Sequence, residues 1–280
     1  MAGWLLRLAA AMPLGLAQAA GWVLGWLIYM VSPRYRAHLN ENLAAAGYGG
    51  DQRVRREAIA SAGCLLTELP ALWLRPHAAV AALVREVHGW ELVGEAQAAG
   101  CGIVFLTPHL GCFEISAQYG AFHFPMTIMY RPPKLAWLNP FMLAGRARPG
   151  VKLATADRSG VRDLLAALKR REAIGILPDQ VPGEGEGEWA GFFGKPAYTM
   201  TLAPRLAIRE NTVCLIAFAR RLPWGRGYTL SIRRLGEAAP GETQACRLNR
   251  CLEDLIRECP GQYLWGYNRY KVPAGAQGPA

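Results

Sequence analysis

The chain has 280 residues, of which 52% are hydrophobic and 19% charged, and carries a formal net charge of +10. That length buries a large core, the apolar share excludes a disordered chain, and a charged fraction below the roughly 25% usual in soluble domains points toward contact with lipid. The positive excess selects anionic partners, whether phosphorylated lipid, acidic protein or nucleic acid, without choosing among them.

In chain order the first element is an uncharged run from Leu8 to Val31 that includes AGWVLGWLIYMV. A helix over it would be about 36 Å long, enough for a bilayer core of about 30 Å. Trp4, Trp22, Trp26 and Tyr29 are aromatics of the kind that settle at membrane interfaces, and Arg34 and Arg36 follow, which puts the downstream body on the cytoplasmic side. Residues 1–33 are therefore read as a membrane anchor. Two alternatives stand beside it. Ala17-Gln18-Ala19 has the small-x-small form of a signal cleavage site, although the apolar run continues well past it. A buried helix of a soluble core tolerates Pro13, Gly15, Gly21 and Gly25 equally well.

A helical stretch over about residues 37–86 comes next. Then β-type runs (GIVFLT, MTIMY, AIGILP, VCLIAFA, YTLSI) alternate with segments of helical character (FEISAQYGAF, VRDLLAALKRRE, TMTLAPRLAIRE). The alternation predicts an α/β fold with a mixed central sheet flanked by helices, spanning residues 34–272. PGEGEGEW, at 182–189, reads as a mobile loop, and 273–280 as a disordered tail. The seven cysteines contain no C-x-x-C pair, so neither a zinc site nor a disulfide framework is indicated.

Ligands of α/β sheets gather where strands end and helices begin. FLTPHLGCFE is such an edge, with His109 before the helix and Glu114 in its first turn. The positive helix end favours an ionised Glu114 and disfavours a charged imidazole, so a neutral histidine oriented by a carboxylate is the state expected of a general base. The competing reading is a first-turn glutamate capping the helix beside a histidine bonded to backbone. Ser116 and Cys112 lie close enough to be nucleophiles, but neither sits in an activating motif. Asp179 and Gln180 end another strand, either as a turn-capping pair or as part of a binding site.

The runs TPHLGCFE, MYRPPKLAWLNP, ADRSGVRDLLAALKRREAIGILPDQ, FFGKPAYTMTLAPRLA and QYLWGYNRYK stand in one order and at about one spacing. In both respects the chain resembles the late acyltransferases of lipid A biosynthesis, the lauroyl/myristoyl family within the glycerolipid acyltransferase superfamily. The resemblance reaches from the N-terminal apolar segment to about Lys271. It implies an inner-membrane O-acyltransferase, with its catalytic domain on the cytoplasmic face, that moves a fatty acyl chain from acyl carrier protein to a hydroxyl of a phosphorylated glycolipid. It further implies His109 as base, Glu114 as its orienting group, and no cofactor or metal. Arg131 and Arg158 are expected to hold an oxyanion or an acceptor phosphate, and Asp179 and Gln180 to shape the acceptor site.

Two features depart from the family's pattern. Trp265 is followed by Gly266, Tyr267, Asn268, Arg269, Tyr270 and Lys271, with no histidine among them, and the loop GEGEGEW is unusually acidic. Arg34, Arg36, Arg53, Arg55, Arg56, Arg146, Arg148, Lys169, Arg170 and Arg171 offer a basic surface that would steer an acidic carrier and a phosphorylated lipid to the membrane. Nucleic acid is not an expected partner, because no binding module or aromatic platform accompanies the basic residues. The alternatives are acylation of another glycolipid or an amino-acid lipid, and a non-catalytic membrane adaptor that binds the carrier.

Overall fold

In the computed structural model, which describes residues 2–133 and 139–279, the expected α/β architecture is present. Residues 134–138, inside the run MYRPPKLAWLNP, lie outside the described part, as do Met1 and Ala280.

Seven strands form the central sheet: β1 (Val84–His88), β2 (Gly102–Leu106), β3 (Met126–Tyr130), β4 (Val151–Thr155), β5 (Ala173–Ile176), β8 (Thr212–Arg221) and β9 (Tyr228–Arg234), while β6 (Gly187–Phe192) and β7 (Lys195–Met200) make a separate antiparallel hairpin. The sheet order is β1-β9-β8-β2-β5-β3-β4, and every pairing is parallel except β8 with β9. Successive strand residues point to opposite faces, and the core follows that rule. Ile103 and Phe105 of β2 pack with Ile115 of helix α7 (Phe113–His123) and Val93 of α6 (Glu91–Ala98). Val104 and Leu106 pack on the other face with Leu164 of α9 (Arg158–Lys169), Leu206 of α10 (Leu202–Ala207) and Leu252 of α11 (Gln244–Glu258).

Four expectations about individual elements are corrected. The uncharged N-terminal run is not one helix: Met12 and Pro13 divide it into α1 (Ala2–Ala11) and α2 (Leu14–Val31), since proline has no N–H to continue the ladder and presets the first turn of the next helix. The stretch at 37–86 contains helices α3 (Pro33–Ala45), α4 (Gln52–Leu74) and α5 (His77–Ala81), but its end is strand β1. Within PGEGEGEW, Gly187, Glu188 and Trp189 already belong to β6, paired with Met200, Thr199 and Tyr198. The same pairing makes Thr199 and Met200 strand and leaves α10 only Leu202–Ala207 of the helix expected there.

Helices α2 and α4 are both long and apolar enough to cross a membrane, yet they pack closely on each other. A Cβ on Gly63 of α4 would overlap the backbone of Gly21 and Gly25 in α2, so side chains are excluded where the two helices cross.

Candidate active site

The site is built where β2 and β5, parallel neighbours, both end. Their register pairs Leu106 with Ile176, and the Thr107 N–H still donates to the Ile176 carbonyl at 2.9 Å. Three residues beyond each register end, His109 and Asp179 meet. The His109 backbone N–H donates to Asp179 Oδ2 at 3.0 Å, and ring Nδ1 lies 2.8 Å from Oδ1. Assigned from this network, Nδ1 carries the proton, which leaves a lone pair on Nε2. The side-chain amide of Gln180 donates to that lone pair, with its Nε2 at 3.1 Å.

The turn that carries His109 is held from several sides. Leu264 donates its N–H to the His109 carbonyl, Gly111 donates to the Gln262 carbonyl and Cys112 to the Ala219 carbonyl. Gly111 has φ of 60°, and a Cβ there would run into the Ala219 carbonyl, so this position requires glycine. The Phe113 ring covers one side of the imidazole, its centroid 4.7 Å away.

Glu114 is placed in the first turn of α7, but its carboxylate turns away from His109. It accepts from Arg146 Nε at 3.0 Å, from Arg146 Nη2 at 2.6 Å and from the indole N–H of Trp73 at 2.9 Å. The carboxylate that reaches the ring is Asp179, which the sequence placed in the acceptor site. Both acids are only 2% exposed. Burial pushes the Glu114 carboxyl up, but the Arg146 guanidinium and its hydrogen bonds outweigh that and hold it below the ordinary value. Asp179 follows the same logic: burial raises it, and the His109 ring with its two hydrogen bonds brings it below the usual carboxylate range.

A cleft of about 570 Å³ opens over the histidine. Arg131 and Arg158, both exposed, line it as expected, and so does Gln180. Arg146, on α8 (Asn139–Arg146), presents its guanidinium there with Glu114 buried behind it. Arg205 adds a further cation, and Asp157 and Glu186 are the acids in its lining. In the sequence Arg146 reads only as a steering charge, and Arg205 and Phe113 carry no motif; the five-residue spacing of His109 and Glu114 gives no signal for any of them. Ser116 and Cys112, the alternative nucleophiles, are both buried, and Cys112 is pushed up by burial, away from the thiolate. Thr199 is also buried, against Asn249 and Arg269. Phe192 and Phe193 belong to the core. A second, narrower pocket lies beneath α7, lined by apolar groups such as Trp90, Phe105, Met126 and Ile232, and Phe113 and Leu177 form walls of both.

A strand-end histidine paired with a buried acid beside a cationic cleft is compatible with acyl transfer but does not define an acceptor. The decisive finding is that residues 2–272 match the family model for bacterial lipid A biosynthesis acyltransferases. The chain belongs to that family. Among similar proteins, the lipid A biosynthesis lauroyltransferase of Escherichia coli K12 is 28% identical over 279 residues, which is 95% of this chain and 89% of that protein. The lipid A biosynthesis palmitoleoyltransferase of the same strain is 27% identical over 246 residues, 85% of this chain and 79% of that protein. A lipid A biosynthesis acyltransferase of Shigella flexneri matches to the same extent. As a member of the lipid A acyltransferase family, the chain is an acyltransferase.

Proposed function

We propose that the protein transfers a fatty acyl chain from an acyl carrier protein thioester to a hydroxyl of a phosphorylated glycolipid of the lipid A type, at the cytoplasmic face of a bacterial inner membrane. The observation that carries this reading is the His109–Asp179 pair, with Nδ1 bonded to the acid and Nε2 aimed into the cleft.

On this reading Asp179, in place of Glu114, fixes the tautomer and stabilises the imidazolium as it forms. The acceptor hydroxyl displaces the Gln180 amide from Nε2 and gives its proton to that nitrogen while its oxygen attacks the thioester carbonyl. The tetrahedral oxyanion collapses with cleavage of the C–S bond, and the leaving thiolate takes the proton back from the imidazolium. Arg131, Arg158 and Arg146 supply positive charge for the oxyanion and for acceptor phosphate. Glu114 acts from behind, holding Arg146 at the cleft wall. The cleft of about 570 Å³, whose walls include Phe113, Met129, Met142, Val161 and Leu177, receives the hydrocarbon of the donor. The formal charge of +10 favours encounter with an acidic carrier.

The test is incubation of purified protein with acyl carrier protein thioester and lipid A precursor, read by mass spectrometry. An acceptor heavier by one acyl chain is expected, and none with His109→Ala. A His109→Ala protein that folds and still makes product would refute the assignment.

A further inference from the structure

The apolar N-terminal segment can meet a bilayer in two ways, crossing it or lying within one leaflet, and contacts along its length distinguish them. Helix α2 has 18 residues, about 27 Å at 1.5 Å per residue, at the lower limit for a core of about 30 Å, so its length alone does not choose. It is also tied to the body at every level. Arg75 donates to the carbonyls of Ala10 and Met12, both at 2.7 Å, just before the helix begins. Gln18 donates to Glu68 Oε1 at 3.0 Å and accepts the Gly225 N–H at 3.0 Å, and Glu68 is itself fully buried against Arg221. Further along come the glycine crossing with α4 and, at the end, Arg36 donating to the carbonyls of Tyr29 and Met30. A crossing α2 with these contacts would carry Arg75, Glu68 and Arg221 to the far side or into hydrocarbon, where each charge costs about 2.5–3.5 kcal/mol by insertion scales.

Among the described residues, the opposite side of α2 is unpartnered and apolar: Leu16, Val23, Leu27 and Met30 form a stripe at helical spacing. Beside its N-terminal end stands the turn Pro223–Gly225, where Trp224 is 91% exposed. Trp224 is held in the left-handed region at φ of 61°, with its carbonyl against Gly15 of α2. The charged residues nearest to α2 in the sequence are all basic. Exposed arginines flank both ends, Arg7 and Arg226 near the start and Arg34 at the finish, and no acidic residue precedes Glu41. Cations at both ends with hydrocarbon between them suit a helix whose ends sit at the same depth among anionic headgroups.

We infer that α2 lies in the plane of one leaflet and that the Trp224 turn enters that leaflet beside it, so that the protein docks on an anionic lipid surface along one flank. This rests on the membrane placement proposed above and fixes its geometry.

Two measurements on the full chain test it, and neither depends on turnover, so an inactive protein that passes both would refute only the chemistry. In the first, Arg7→Cys is treated with a membrane-impermeant maleimide in intact spheroplasts. Labelling above the parent chain is expected only after permeabilisation; labelling from outside means that the segment crosses and overturns the inference. In the second, purified protein is sedimented with vesicles of phosphatidylethanolamine and phosphatidylglycerol, some carrying acyl-brominated lipid. Trp224→Asn keeps a residue that tolerates the left-handed backbone, and its melting temperature should match the parent. It should bind several-fold more weakly, lose the share of bromine quenching due to Trp224, and keep its turnover of detergent-dispersed substrate. Unchanged binding and quenching would overturn the inference. So would a solution dimer that covers this face and has no affinity for vesicles, since the flank would then serve a second copy of the chain.

Discussion

Asp179 holds His109 at two points, accepting the backbone N–H at 3.0 Å and sitting 2.8 Å from ring Nδ1. The acid therefore sets both the position of the residue and the orientation of its ring. Asp179→Asn should preserve the fold while lowering kcat by about 10²–10⁴, the range for loss of general acid–base catalysis, with KM nearly unchanged. Steady-state kinetics with the thioester donor would show it, and a kcat within a few-fold of the parent would remove Asp179 from the mechanism.

Glu114 is buried behind Arg146, which faces the cleft, and loss of the pair should be felt as stability. Glu114→Ala leaves the guanidinium and the Trp73 indole without their acceptor and should destabilise by about 1.5–3 kcal/mol, whereas Glu114→Leu with Arg146→Met should recover most of that. Thermal or urea melts of the single and double variants would separate these outcomes. A double variant that is stable yet poorly active would agree with Arg146 acting at the cleft.

The pH dependence of stability follows from the same pair and from Asp179. Both carboxyls are held below their ordinary values in the folded chain, so their contribution is fully present above the unfolded pKa of about 4 and is lost as pH falls through the lower folded values. Urea melts from pH 7 down should show stability falling below about pH 4. The double variant should show a shallower acid slope than the parent.

Arg131 and Arg158 line the cleft from one edge of the sheet, each just beyond the end of a parallel strand, β3 and β4. Replacing either by alanine should raise KM for a phosphorylated acceptor by about 10–100-fold, the worth of a hydrogen bond to a charged group. An acceptor lacking phosphate should show a much smaller difference between parent and variant. Equal effects on both acceptors would place these arginines elsewhere in the reaction.

Gly175 in β5 borders the apolar pocket, where a new Cβ would meet Met126 and Ile128 at ordinary contact distances of 3.6 and 3.7 Å. Gly175→Ala should fold and gain about 0.4–1 kcal/mol, since the methyl fits a pocket of about 30 Å³ and the unfolded chain loses freedom. Urea melts of parent and variant measure the gain, and a loss of stability would mean that the strand cannot take the methyl.

The strands that became the centre of the sheet were readable because they are buried on both faces and form short apolar runs: GIVFLT, AIGILP and VCLIAFA all lie within β2, β5 and β8 or overlap them closely. The edges were not. VREVH of β1 and VKLAT of β4 carry charge on an exposed side, and the glycines of 182–189 hid the start of β6. His109 stood out because its strand-turn-helix setting is local. Its partner was hidden because Asp179 lies 70 residues away and arrives through the parallel register of β2 and β5. The five-residue spacing to Glu114 suggested the nearer acid, whereas a helix starting at Phe113 turns that side chain toward Trp73 and Arg146.

The interlock of Gly21, Gly25 and Gly63 makes the greasy leader a structural member of the body and not a detachable tether. Trimming the chain back to Ser32 in search of a tractable fragment would bare the Ile59–Cys64 ridge to water and rob Glu68 of Gln18. The fragment should clump, and a mild detergent that stands in for the missing helix should keep it dispersed.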